Sequence, residues 1–234
     1  MDKKDKNLDF SQKSEKGIEK FLQKNFKWII GILVAIILIV VIVGVVVNVN
    51  NKKNNARFEA LDSLATAYTS LLTMDDTTAE YTTAIASFND KADELIASSS
   101  AKSYPALKAQ YMKAQVLVLD EKWNEALSLY ETVAEGAKDI YLGPLAMLNA
   151  AVCAENGGNQ NLALTYYQKI WDVYGVNTPV APKALFNTAR IYEAQGNKDL
   201  AKATYQQLVD EFKNPEKGTN TEYAALALNR IEVL

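Results

Sequence analysis

Histidine is missing altogether from the sequence, and cysteine occurs once, at Cys153. Without histidine there is no Ser-His or Cys-His dyad, and the commonest general base and metal ligand are gone. A single cysteine excludes an intrachain disulfide framework. No G-x-S-x-G, H-E-x-x-H, C-x-x-C or G-x-G-x-x-G occurs, nor any Walker-type phosphate loop. The paired glycines of ENGGNQN have no strand before them and no lysine after them, so they read as a turn. Cys153, in AAVCAEN, reads as a small buried filler of a helix, with a redox or metal thiol as the alternative. Asp75 with Asp76, and Asp210 with Glu211, fall in a polar turn and near a helix end, where carboxylates are simply solvated. The chain is therefore expected not to be an enzyme and to use no cofactor or metal.

A strong positive charge is also lacking. The formal net charge is −3, which divides into +3 for residues 1–27 and −6 for the remainder. A net-acidic domain without a basic patch interleaved with aromatics is a poor nucleic-acid binder, and no nucleic-acid partner is expected.

What is present, first, is a long apolar run. From Trp28 to Val47 no side chain carries a charge, and most are Ile or Val. As a helix this run is roughly 30 Å long, the thickness of a bilayer's hydrocarbon core. In lipid a solitary segment must bond its own backbone, and only a helix does so. A buried core helix would show a polar face, and a cleaved signal would carry a shorter leader and a small-x-small site. Here a long leader extends to Lys27 and NVNNKKNN follows the run, so it reads as an uncleaved anchor. Eight lysines precede it, whereas Lys52, Lys53 and Arg57 follow it. That imbalance places the N-terminus in the cytoplasm and the domain after the span outside it.

Within the leader, Ile18, Phe21, Leu22 and Phe26 fall on one helical side, with Glu19, Lys20, Gln23 and Lys24 opposite. This spacing suits an amphipathic helix on the inner leaflet, or else a frayed juxtamembrane linker. Residues 1–14 have the composition of a disordered tail. The chain thus divides into a leader (1–27), a transmembrane helix (28–47), a linker (48–55) and an extracytoplasmic helical domain (56–234).

That last domain repeats itself. LKAQYMKAQVLVLDEKWNEALSLYETVAEGAK begins at Leu107, PLAMLNAAVCAENGGNQNLALTYYQKIWDVYG at Pro144, and PKALFNTARIYEAQGNKDLAKATYQQLVDEFKNP at Pro182. A small residue recurs in each first helix (Ala114, Ala151, Ala189) and an alanine in each second helix (Ala126, Ala163, Ala201). A tyrosine stands one helical turn further on (Tyr130, Tyr167, Tyr205), then a branched aliphatic (Val133, Ile170, Leu208). The interval from Ala126 to Ala163 is almost the same as that from Ala163 to Ala201. Small residues let two antiparallel helices approach closely, while the larger ones fill the gap to the next repeat. Glycine in the second and third turns, at Gly158 and Gly196, suits the left-handed residue that ends a helix.

This helix–turn–helix pattern resembles the tetratricopeptide repeat, here with longer inter-repeat loops than its usual period of about 34 residues allows; an ordinary helical bundle is the alternative. The fold expected is all-α, a single N-terminal transmembrane helix followed by a tetratricopeptide-like α-solenoid. ARFEALDSLATAYTSLL and TTAEYTTAIASFNDKADELIA read as two helices capping the repeats at one end. TNTEYAALALNRIEVL, with Thr219 and Glu222 at capping-box spacing, reads as a terminal helix at the other.

In such arrays the first helices line a concave face. Carrying the repeat's inward positions onto this chain selects Lys108, Tyr111, Gln115 and Val118, then Leu145, Leu148, Val152 and Glu155, then Lys183, Phe186, Arg190 and Glu193. Of these, Tyr111, Gln115, Leu145, Leu148, Val152, Lys183, Phe186 and Arg190 are the candidate protein-binding residues. They suit an amphipathic helix or an extended peptide with apolar anchors. Packing of the N-terminal helices into the groove is the alternative.

The leader-anchor junction IEKFLQKNFKWIIG, the loose repeats and the closing ALALNRIEVL together resemble the YfgM-like family, ancillary subunits of the bacterial SecYEG translocon. The resemblance implies a single-pass inner-membrane scaffold with a periplasmic repeat domain. It also implies protein partners among translocon subunits and a periplasmic chaperone. An oligomeric structural or assembly factor of the envelope stays open beside it, and an enzyme with unrecognised catalytic groups is the weakest reading.

Overall fold

The computed structural model describes residues 10–213 and 222–234, with side chains from residue 15 onward. Helices α1 (Phe10–Leu71), α2 (Ala79–Ala97), α3 (Tyr104–Leu119), α4 (Trp123–Gly136) and α5 (Leu142–Asn156) follow one another. After them come α6 (Gln160–Tyr174), α7 (Ala181–Ala194), α8 (Lys198–Phe212) and α9 (Glu222–Val233), and no strand occurs among the described residues. Thr219 of the expected capping box lies outside the described residues, as do residues 1–9 of the polar tail.

The chain divides into two compact units, residues 1–56 and 57–234. The first is the greater part of α1. Its apolar run is solvent-facing on every side, Ile37 and Val40 being 61% and 64% exposed, and it is long and apolar enough to cross a membrane. Residues 48–55, expected as a linker, are helical. The reason is local: no glycine or proline lies between Gly44 and Pro105, so nothing in NVNNKKNN forces a break.

The second unit is built of helical hairpins. Each of α2 to α9 packs chiefly on its neighbours in sequence, as in a solenoid. All six seam alanines (Ala114, Ala126, Ala151, Ala163, Ala189 and Ala201) are 0% exposed. Tyr130, Tyr167 and Tyr205 are buried behind them, as are Val133, Ile170 and Leu208. A methyl at the seam brings the two helices of a hairpin together, and the phenol ring then spans the space to the next hairpin.

The three hairpin turns are the same motif. A backbone N–H reaches back past the helix end to a carbonyl of its last turn: Lys122 to Leu117 at 2.9 Å, Asn159 to Ala154 at 2.8 Å and Asn197 to Tyr192 at 2.9 Å. The residue before each donor has a left-handed backbone, with φ of 57° at Glu121, 82° at Gly158 and 77° at Gly196. This is the Schellman ending, for which glycine is the natural residue. The first repeat makes the same turn with a glutamate, at a steric cost of roughly 1 kcal/mol.

Leu61, Leu64 and Leu71 at the end of α1 are buried, together with Phe88, Ala92 and Leu95 of α2, in a core that runs on through α7. A smaller core joins α7, α8 and α9 around Leu208, Phe212, Ala224 and Ala227.

Candidate protein-binding face

The first helices of the repeats, α3, α5 and α7, carry the positions expected to face a groove. Two of these positions meet where one repeat's first helix is followed by the next: residue 118 or 155 near the end of one, and 152 or 190 on the other. Between α7 and α9, residues 193 and 230 play the same parts.

Between the second and third repeats these are Glu155 and Arg190. The Arg190 Nη2 donates to both carboxylate oxygens, at 2.6 and 2.7 Å, and the Tyr167 hydroxyl donates to Oε2 at 3.4 Å. Between the third repeat and α9 the arrangement returns. Arg230 forms an ion pair with Glu193, its Nε donating at 3.2 Å, and the Tyr205 hydroxyl donates to the same carboxylate at 3.2 Å. Both ion pairs are partly solvated, so each contributes about 1 kcal/mol or less. They link α5 to α7 and α7 to α9.

Between the first and second repeats the same positions are Val118 and Val152. They do not bridge anything. They line an open cleft of about 210 Å³ with Gln115, Leu119 and Asn149 at its rim, Tyr130 and Cys153 beneath, and Tyr68 of α1 at one side. Burial pushes the Cys153 thiol up to about 11, so it is a protonated, unreactive part of the floor. Burial also raises Tyr130 well above the usual phenol range. Among the described residues no cluster of acidic or cysteine side chains is arranged to hold a metal ion.

The other expected binding residues are placed variously. Tyr111 is 4% exposed, edge-on to Tyr130 with ring centres 5.3 Å apart, and it accepts a hydrogen bond from Asn149 Nδ2 at 2.7 Å. Burial pushes its pKa up to about 12 despite that bond. The Lys108 ammonium caps the ring at 4.7 Å. Leu148 is buried in the core, and Leu145 is half-buried against it. Phe186 is half-buried between Tyr205 and Tyr223, with ring centres 5.5 and 5.6 Å away. Lys183 is exposed, and Arg190 is committed to Glu155. Tyr111, Leu148 and Phe186 therefore hold the helices together rather than offering contact surface. Gln115 and Val152, with Val118, are the residues the fold brings to one accessible place.

Two features had not been expected. Asn149 and Asn187 stand one repeat apart and both hydrogen-bond the tyrosine of the preceding hairpin, which their spacing in the sequence signals. The repeated carboxylate–arginine bridge is signalled more weakly, because its two halves lie in different repeats.

Residues 145–175 and 183–215 match the tetratricopeptide repeat family. These two stretches thus match tetratricopeptide repeats, a fold whose usual role is non-enzymatic protein binding. The match takes in the second and third repeats; the first, with Glu121 in its turn and Val118 at the bridging position, lies outside it. Among curated proteins none matches this chain. The chain is similar to a solved Podosopora anserina structure described as a putative kinesin light chain with nearly identical TPR-like repeats. The identity is 13% and the TM-score 0.47, over 72% of this chain and 91% of that one. A single-substitution form of the same protein gives 13% and 0.47 over 70% and 90%.

Proposed function

We propose that this protein is a membrane-anchored, non-enzymatic scaffold that receives a protein partner in the cleft between its first and second repeats. The observation that carries the reading is the exchange of a bridging Glu–Arg pair for Val118 and Val152. Where the pair is ionic it ties two helices together; where it is apolar a cleft is present, with amide side chains beside it. Such a cleft takes an apolar side chain of an amphipathic helix or extended segment, while Gln115 bonds the partner's polar groups.

The lysine imbalance around residues 28–47 supports an N-terminus in the cytoplasm and repeats outside it, as a single-pass protein of a bacterial inner membrane. The resemblance of the leader-anchor junction to the YfgM-like family supports a place beside the translocon, with translocon subunits and a periplasmic chaperone as partners.

The test is a photocrosslinking amino acid at position 115, in cells, with and without Val118→Glu plus Val152→Arg. Crosslinks to a translocon subunit or an envelope chaperone are expected from the native pair. The charged pair should reduce them more than about thirtyfold, since central interface residues hold about 2 kcal/mol or more. Equal yields from both forms would refute the cleft as the docking site. A position 206 crosslinker, exposed on α8, controls for unspecific contact.

A further inference from the structure

Helix α1 sorts its charges by side. Lys16, Lys20, Lys24 and Lys27 recur every three or four residues, and at about 100° per residue they share roughly 80° of the helix circumference. All four are exposed. No acid between Lys16 and Lys27 shares that sector: Glu19 falls to one side, and Ile18, Phe21 and Leu22 lie opposite. Like charges one turn apart work against a helix, a cost that a ligand of opposite charge offsets. The row is roughly 16 Å long and ends where the apolar run begins.

α1 passes from the row into that run without a break, and the line of the lysines continues onto Gly31, with Ala35 one turn further. There the helix surface opens into a groove of about 470 Å³, lined by Lys27, Trp28, Gly31, Ile32 and Ala35. Glycine leaves the space: a β-carbon at Gly31 would meet nothing within 4 Å. Trp28, 78% exposed, and Ile32, 56% exposed, stand as its walls. Positive charge and apolar groove thus lie on one face, in that order along the chain.

A ligand that fills both places carries its own parts in the same order. Negative charge belongs beside Lys24 and Lys27, and a thin apolar chain belongs past Trp28, in the groove at Gly31. An anionic phospholipid is built this way, and a bilayer around residues 28–47 presents it at this depth. Lysines immediately beside a span attract anionic headgroups, and tryptophan settles at headgroup level. A second copy of the chain entering the groove in the same direction would set two lysine rows face to face, which their repulsion opposes. A nucleic-acid strand would meet the charge and leave the groove unfilled.

Given that residues 28–47 span a membrane, as the proposed function has it, we infer that this face of α1 binds one anionic phospholipid. Its phosphate sits between Lys24 and Lys27, and an acyl chain lies along Gly31 and Ala35.

The test places the full chain in vesicles and follows tryptophan fluorescence, with brominated phosphatidylglycerol or brominated phosphatidylcholine as quencher at equal mole fraction. Only Trp28 adjoins the apolar run, so Trp123 and Trp171 contribute a constant background. Phosphatidylglycerol is expected to bind beside Trp28 at least about tenfold more tightly, each lysine at the surface contributing about fivefold. Lys24→Gln with Lys27→Gln should bring that ratio to about one. Gly31→Leu fills the groove and spares the lysines; it should lower the ratio at least about threefold, because the chain no longer seats the headgroup. Lys52→Gln with Lys53→Gln, beyond the other end of the run, should leave it unchanged. Equal quenching of the native chain by the two lipids would overturn the site and leave the span intact. No quenching by either would refute the span and the site together. A preference undiminished by Gly31→Leu would reduce the site to diffuse surface charge and overturn it. So would quenching that falls as the chain is packed more densely, the mark of a second copy in the groove. Capture of labelled RNA on neutral vesicles, lost with Lys24→Gln and Lys27→Gln, would assign the row to nucleic acid instead.

Discussion

Between the second and third repeats, Glu155 grips Arg190 through both of its oxygens; one repeat earlier, the same places hold Val118 and Val152. The two boundaries are packed alike. Both have the alanine seam, both have the buried tyrosine, and both receive an asparagine from the following hairpin. The difference therefore isolates what two side chains do. An ionic pair satisfies its polar atoms internally, whereas the valine pair lines an open cleft beside Gln115. A repeat array can thus keep one scaffold and vary a single boundary by changing two residues.

If the seam is common to all boundaries, overpacking it anywhere should be the most damaging change. Ala163→Phe and Ala201→Phe should each cost about 1–3 kcal/mol, measured by chemical denaturation. A silent Ala163→Phe would break the claim that the hairpins share one architecture.

Alkali should tell the boundaries apart next. Cys153 and Tyr111 sit at the first boundary with pKa values raised by burial from 9.0 to about 11 and from 10.0 to about 12. Groups raised in the folded state hold protons that the unfolded chain has already lost. Their contribution is therefore intact below pH about 9 and declines as pH climbs toward 12. Burial raises Tyr167 at the second boundary as well, so hydrogen exchange should show α3 to α7 opening before α8 in that range. Earlier opening of α8 would show that the buried phenols and thiol do not set the alkali sensitivity.

Removing the bridge should matter less. Arg190→Ala leaves Glu155 partly solvated, so a loss of about 0.5–1 kcal/mol is expected, and it should shrink in high salt. The same substitution at Val152 has no ion pair to lose, and its effect should not depend on salt.

The smallest effect should be a gain. Glu121→Gly gives the first turn the residue that Gly158 and Gly196 already supply, and should stabilise by about 0.5–1 kcal/mol. No gain would mean that glycine's greater freedom in the unfolded chain offsets the relief of strain.

How much of this was legible in the sequence follows from where each signal is stored. The seam was readable because methyl groups recur at a near-constant interval through Ala126, Ala163 and Ala201, and a packing rule turns that period into a hairpin. The turns at Gly158 and Gly196 were readable because glycine marks left-handed backbone. Glu121 was not, because nothing in LDEKWN distinguishes a strained glutamate from an ordinary one; only the shared geometry reveals it. Tyr111 and Leu148 were assigned to the groove by repeat position alone. Whether a side chain there is accessible depends on what covers it, in this case Lys108 and Asn149 over Tyr111 and the core around Leu148. The Glu155–Arg190 bridge depends on the length of the intervening loop, which single-repeat patterns do not encode. The helicity of residues 48–55 was in the sequence as an absence of breakers.

The packing of each helix on its neighbours in sequence also bears on how the chain comes into being. Among the described residues the repeat domain has no strand, and its helices pack chiefly on sequence neighbours, so its contacts form between residues made within moments of each other. Such low contact order favours fast folding, and it allows each hairpin to settle on the one before it while the rest of the chain is still being made. Along such a solenoid the order of synthesis and the order of assembly can coincide.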